Sequence, residues 1–184
     1  VILCSSAAVY GSQPGLLDEA TPLRPANDYG AAKRDMEQRS AALAAQLGVR
    51  LCVLRIGNIA GLDAILGGWC PGFQLDQFAD GATPARSYIG VETLAQVLAA
   101  LLALPQLPAV VNLAQPGPVE MAALLDAAGL NWVVRPAPDT AIARVALDTG
   151  LLQDLVQLPA VDTVQMVQQW RVLEPHMAEG RAQR

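Results

Sequence analysis

The first eleven residues, VILCSSAAVYG (1–11), decide the fold. Val1 to Cys4 is a short, uninterrupted apolar run ending in two serines, the signature of a strand buried on both faces of a parallel sheet. Working outward, residues 11–27 carry Gly11, Pro14, Gly15, Pro22 and Pro25 and read as a loop. Asn27 or Asp28 then caps a helix from about Tyr29 to Leu47, stopped by Gly48. RLCVLRI (50–56) predicts a second strand and AVVNL (109–113) a third. Between them, Val91–Leu104 has helical periodicity. Residues 62–84, rich in glycine and proline, read as a long binding loop with one helical turn. Arg86–Ile89 reads as extended. Further on, the pattern predicts a helix over Val119–Ala128, short strands at Trp132–Arg135 and Arg144–Leu147, and helices over Leu151–Leu155 and Val161–Val172, with a polar, frayed tail in the last ten residues. Strand and helix alternate as in an α/β protein.

Composition narrows the function. The 184 residues are 53% hydrophobic and 16% charged, which excludes a disordered chain. A net charge of −5 argues against nucleic acid and anionic membranes as partners. The longest apolar stretch falls far short of the ~20 residues a membrane span needs. Cys4, Cys52 and Cys70 lack metal-ligand spacing and read as reduced thiols of a cytoplasmic protein. The lone histidine, His176, argues against a histidine triad or a zinc site. The chain opens at Val1 directly into an apolar run, which suggests a piece of a longer protein.

Chemistry in such sheets sits at the carboxyl ends of the strands. Ser5 and Ser6 end the first strand, and Tyr29 and Lys33 open the next helix, sharing a face at i and i+4. A phenol with an ordinary pKa of about 10 is a poor base at neutral pH, and a neighbouring ammonium favours its ionised form. Lys33 is the only lysine in a chain whose other basic residues are all arginine. By chance a lysine would fall four residues after a tyrosine at under about 2% of positions. A serine hydroxyl nearby would hold the substrate oxygen. Ser5 reads equally as a strand-end hydroxyl satisfying backbone, Asn58 as a turn residue, and Arg86 as a solvated surface charge.

CSSAAVYG (4–11), DEATPLRPANDYGAAK (18–33), LRIGNIAG (54–61) and RSYIGVETLAQ (86–96) together resemble extended short-chain dehydrogenase/reductases of the NAD-dependent epimerase/dehydratase family. The resemblance runs in order from Val1 to about Leu113 and weakly to Trp170. It implies an α/β, partial doubly wound (Rossmann-like) parallel sheet lacking its N-terminal strands. A small C-terminal substrate-binding lobe would be drawn from about 62–90 and 116–175. It implies catalytic roles for Ser6, Tyr29 and Lys33, with Tyr29 as acid/base, Ser6 orienting the substrate hydroxyl and Lys33 on the nicotinamide ribose. Gly57 falls beside the nicotinamide, Asn58 on the substrate, and Arg86 on the diphosphate of a nucleotide sugar. The implied cofactor is NAD or NADP and the implied parent a homodimer. The reaction would be a hydride transfer shared by epimerases, dehydratases and reductases. A non-catalytic binding or scaffold protein on the same fold, or an inactive truncated fragment, is the alternative. Three departures stand out. Gly90 occupies the place of a usual histidine, Gly61-Leu-Asp replaces a proline-glycine continuation, and no G-x-x-G-x-x-G loop occurs in residues 1–184.

Overall fold

The computed structural model describes residues 1–182, with side chains through Glu174. Strand β1 (Ile2–Ser6) passes into a 3-10 turn (Ala7–Tyr10) and a short strand β2 (Gly15–Leu17). Helix α1 (Asp28–Leu47) follows, capped by the Asn27 side chain, which accepts from the Gly30 N–H at 2.8 Å, and ended by Gly48. The chain continues through β3 (Cys52–Ile56), β4 (Asn58–Ile59), β5 (Gln74–Gln77), β6 (Ala85–Ile89) and α2 (Val91–Ala103). It then forms β7 (Val110–Leu113), β8 (Pro118–Glu120), α3 (Met121–Ala128), β9 (Val133–Pro136) and β10 (Arg144–Leu147). Helices α4 (Gly150–Leu155) and α5 (Thr163–Ala182) close it.

Strands β1, β3 and β7 form a parallel sheet in the order β1-β3-β7, the α/β, Rossmann-like arrangement expected. Side chains alternate across it. Cys52 and Leu54 of β3 and Val111 and Leu113 of β7 pack against Leu101 of α2 and Leu152 of α4. The opposite face, with Ser5, Arg55 and Asn112, meets α1 and the 3-10 turn. Leu54, Leu101 and Leu152 are fully buried, so truncating any of them to alanine costs about 2–5 kcal/mol. Among the described residues, strand β1 has a hydrogen-bonded neighbour, β3, on one side only.

A second sheet runs β2-β10-β6-β4, all parallel, with β8 antiparallel to β6. Strands β5 and β9 form a separate parallel pair. A second core, with Leu66, Tyr88, Leu124, Leu125 and Met166 buried, lies under these elements.

Four local expectations need correcting. Residues 15–17, expected in a loop, form β2, because β10 offers them a parallel partner from 130 residues downstream. Residues 74–77, inside the expected binding loop, form β5 for the same reason, pairing with β9. The helix expected from Val119 begins at Met121, since Pro118–Glu120 pairs with β6. The tail expected to fray is helical to Ala182. The side chain of His176, with residues 183–184, lies outside the described residues. No helix among the described residues is long and apolar enough to cross a membrane.

Candidate active site

A cleft of about 470 Å³ opens outside the carboxyl ends of β1 and β3, where a parallel sheet places its ligands. Ser6, Tyr29, Gly57, Asn58 and Arg86 line it. They come from four separate segments, which the sheet brings together. The Ser6 hydroxyl caps the 3-10 turn, accepting from the Ala8 N–H at 3.2 Å. Tyr29, in the first turn of α1, is 57% exposed. Its placement depends on Gly30. A Cβ there would meet the Ala8 carbonyl oxygen at 2.5 Å and the Pro25 Cβ at 3.0 Å, so only glycine lets the helix press this closely on the turn that follows Ser6.

Lys33 lies one turn further along α1. Its ammonium donates to the Cys4 carbonyl at 3.0 Å and sits 5.9 Å from the centroid of the Tyr29 ring. It flanks the cleft rather than lining it. Gly57 donates its N–H to the Leu113 carbonyl at 2.9 Å. A Cβ on Gly57 would meet the Ser87 carbonyl oxygen at 2.8 Å, so β3 and β6 approach through bare backbone.

Arg86 is half-buried and built into the wall of the cleft. Its Nη1 donates to the Ala85 carbonyl at 2.8 Å and the Ala143 carbonyl at 3.4 Å, and its Nη2 donates to the Ile142 carbonyl at 3.1 Å. Among the described residues these bonds leave the Nε–H and one Nη2–H unpaired, the donors with which a guanidinium grips a carboxylate or phosphate in two places. Burial lowers its pKa from the usual arginine value, partly opposed by Tyr88. Among the described residues no carboxylate pairs with it. Arg86 is thus half-buried and tied to residues 142–143 rather than fully solvated.

Behind the cleft lies a polar cluster that the motif reading passed over. The sheet register sets Ser5 opposite Arg55, and Arg55 opposite Asn112, in one row across all three strands. Ser5, expected as a strand-end hydroxyl satisfying backbone, bonds a side chain instead. Its hydroxyl donates to the Glu37 carboxylate at 2.5 Å. Arg55 pairs with Glu37 at 2.9 Å, with side-chain exposures of 7% and 6%. Arg55 also donates to the Tyr10 hydroxyl at 3.0 Å and the Glu19 carbonyl at 3.0 Å, and Tyr10 donates to the Asn112 side-chain oxygen at 2.7 Å. Burial alone would pull the Arg55 pKa down, but its bonds to Glu37 and Tyr10 outweigh this and hold it above the usual value. Burial pushes the Tyr10 phenol up. The available signal was an arginine and an asparagine inside otherwise apolar strands.

The model of the NAD-dependent epimerase/dehydratase family matches residues 1–67. Solved structures are similar over nearly the whole chain. The UDP-glucose 4-epimerase of Stenotrophomonas maltophila, with bound NAD and formylated UDP-arabinopyranose, aligns with a TM-score of 0.74 at 21% identity. The alignment covers 97% of this chain and 64% of that one. The UDP-Glc/GlcNAc 4-epimerase of Campylobacter jejuni aligns with a TM-score of 0.73 at 21% identity, over 95% of this chain and 64% of that one. An NAD-dependent NDP-hexosamine 5,6-dehydratase involved in tunicamycin biosynthesis aligns with a TM-score of 0.70 at 18% identity, over 92% and 62%. The chain thus spans less than two thirds of the length of these structures. No curated protein matches the sequence.

Proposed function

With its first third matched by the NAD-dependent epimerase/dehydratase family and its fold shared with enzymes of that kind, we propose that this chain carries the reacting end of an NAD(P)-dependent site acting on a nucleotide sugar, or a similar hydroxyl or carbonyl substrate. The observation that carries the reading is the convergence of Ser6, Tyr29, Gly57, Asn58 and Arg86 on one cleft at the strand ends.

The residues present fit the nicotinamide end of a dinucleotide. Lys33 offers a compact ammonium next to the cleft, Tyr29 a phenol inside it, and Gly57 a position whose packing leaves no room for a side chain. When bound there, the cofactor supplies the hydride acceptor and donor. Tyr29 takes the proton from the sugar hydroxyl as the carbon beside it is oxidised, and returns it in the reverse step. Ser6, fixed by its bond from Ala8, holds the reacting oxygen. Lys33 supplies positive charge next to the phenol. Asn58 contacts the sugar, and the free fork of Arg86 takes the diphosphate. The lobe from about 62–90 and 116–175 forms the substrate side.

The test is turnover of a panel of nucleotide sugars with NAD+ or NADP+ by the longest natural chain that contains residues 1–184. Tyr29→Phe removes one hydroxyl with little change in packing and should lower kcat on the order of 10²–10⁴-fold. Near-normal turnover in that variant would end the acid/base role.

A further inference from the structure

Tyr29, Lys33 and Glu37 stand at i, i+4 and i+8 of α1 and so form one stripe along the helix. Each meets the end of β1 differently. Tyr29 lines the cleft beside Ser6, Lys33 donates to the Cys4 carbonyl at 3.0 Å, and Glu37 accepts from the Ser5 hydroxyl. A carboxylate one turn from an ammonium on the same stripe ordinarily attracts it. Here Glu37 is only 5% exposed and is held by Arg55 through both Nε, at 3.2 Å, and Nη2, at 2.9 Å. Arg55 is itself anchored to Tyr10 and the Glu19 carbonyl, and Tyr10 to Asn112 on the third strand. The network therefore ties the stripe to every strand of the sheet.

A buried ion pair is a poor device for stability, since a well-packed apolar pair of similar volume often does as well or better. What an ion pair adds is direction, because its bonds tolerate one arrangement of helix against sheet. We propose that Glu37 and Arg55 are positioning residues for Tyr29 and Lys33. The pair sets the roll of α1 over β1, and Arg55 keeps the Glu37 carboxylate from drawing the Lys33 ammonium off the Cys4 carbonyl. This rests on the reading of Tyr29 and Lys33 as the reacting pair, but its test does not need turnover.

Residues 1–184 contain one lysine, and in the longest natural chain that contains them, labelled with ¹⁵N-lysine, the Lys33 ammonium is the resonance that Lys33→Arg removes. In Arg55→Gln, Glu37 is released toward Lys33. The ammonium resonance should move, its contacts to the Tyr29 ring protons should weaken, and its exchange with solvent should rise about tenfold, the equivalent of one ordinary hydrogen bond. In the double variant Glu37→Gln/Arg55→Gln the competing carboxylate is gone, and the resonance should return toward its original position. A role in stability alone predicts that the single and double variants behave alike. That outcome, or an unmoved resonance in Arg55→Gln, overturns the proposal. If Arg55→Gln fails to fold, Arg55→Met is read in its place: it keeps much of the volume, loses the fork, adds no second lysine, and should move the resonance the same way. No movement there also overturns it. Retained turnover in Tyr29→Phe with a moved Lys33 resonance would remove the catalytic reading and leave the positioning intact.

Discussion

Gln169 of α5 fills the space into which any side chain at Gly90 would project. Its Oε1 accepts from the backbone N–H groups of Glu92 at 3.1 Å and Thr93 at 3.3 Å. It thus caps α2, whose own N-cap residue, Gly90, makes no side-chain bond. The next residue, Trp170, lies equally close to Gly61. Two neighbouring residues of α5 therefore seat on two glycines, one at the end of β6 and one just after β4. The departures from the family pattern at 90 and 61 thus meet in one packing feature.

That seating makes two glycine variants differ. At Gly90 the backbone, with φ −70°, accepts alanine, and the obstacle is the tip of a flexible side chain. Gly90→Ala should cost the cap, about 0.5–2 kcal/mol, and adding Gln169→Ala should cost little more. Gly61 has φ +87° and faces the Trp170 indole, so Gly61→Ala meets both strain and overlap and should cost at least about 2 kcal/mol. Urea unfolding of the three variants measures this. Equal losses for the two single variants would mean that Gln169 is no freer to move than Trp170.

Arg86 ties residues 142–143 to β6 while keeping one fork open. Arg86→Ala should therefore do two things: loosen residues 140–143 to proteolysis or hydrogen exchange, and raise KM for a nucleotide sugar about tenfold or more. Arg86→Lys keeps the charge without the fork, and should recover part of the KM and little of the loop protection. An unchanged KM in Arg86→Ala would point to a substrate without a diphosphate.

Alkaline pH should unfold the protein through its buried phenols. Burial raises the pKa of Tyr88, as does the neighbouring Asp63, and burial raises that of Tyr10. A raised folded-state pKa contributes stability that is full below the unfolded value of 10.0 and is lost as pH climbs above it. Each phenol still protonated in the fold steepens the loss by about 1.4 kcal/mol per pH unit. Among the described residues the buried Tyr88 hydroxyl, beside the Asp63 carboxylate, makes no hydrogen bond of ordinary geometry, so Tyr88→Phe should cost little at neutral pH and should flatten the decline above pH 10. Thermal unfolding across an alkaline pH series is the measurement. A slope identical in wild type and Tyr88→Phe would contradict the assignment.

Among the described residues, strand β1 pairs with β3 alone, and an unpaired strand edge is a template for pairing with another strand. Residues 1–184 also contain no glycine-rich dinucleotide loop, and that loop anchors much of a pyrophosphate. The isolated chain should therefore self-associate in light scattering. It should bind NADH only in the millimolar range, about −4 kcal/mol. A monodisperse monomer binding NADH at micromolar concentration would overturn both expectations.

Much of this architecture is readable from local pattern. The apolar runs at Val1, Arg50 and Ala109, the Asn27 cap, the Gly48 stop and the four-residue spacing of Tyr29 and Lys33 each depend on neighbours a few residues away. Local chain physics decides them, and the structure places all of them close to where the sequence puts them. The strands at 15–17 and 74–77 were invisible for the opposite reason. Neither segment has strong strand character, and each becomes a strand only because a partner more than fifty residues downstream runs alongside it.

The same division runs through the site. Sequence alone determined the parallel α/β plan and nominated Ser6, Tyr29, Gly57, Asn58 and Arg86. Tertiary structure decided that these five share a cleft, that Arg86 spends part of its guanidinium on residues 142–143, and that Ser5 serves Glu37. It also paired Tyr10 with Asn112, 102 residues apart, and Gln169 with Thr93, 76 residues apart. Helix caps and apolar periodicity are stabilised within a turn or two of chain and so leave their mark in order along the sequence. A buried hydrogen bond between distant residues depends on strand register and helix roll, which are settled only when the whole sheet is assembled.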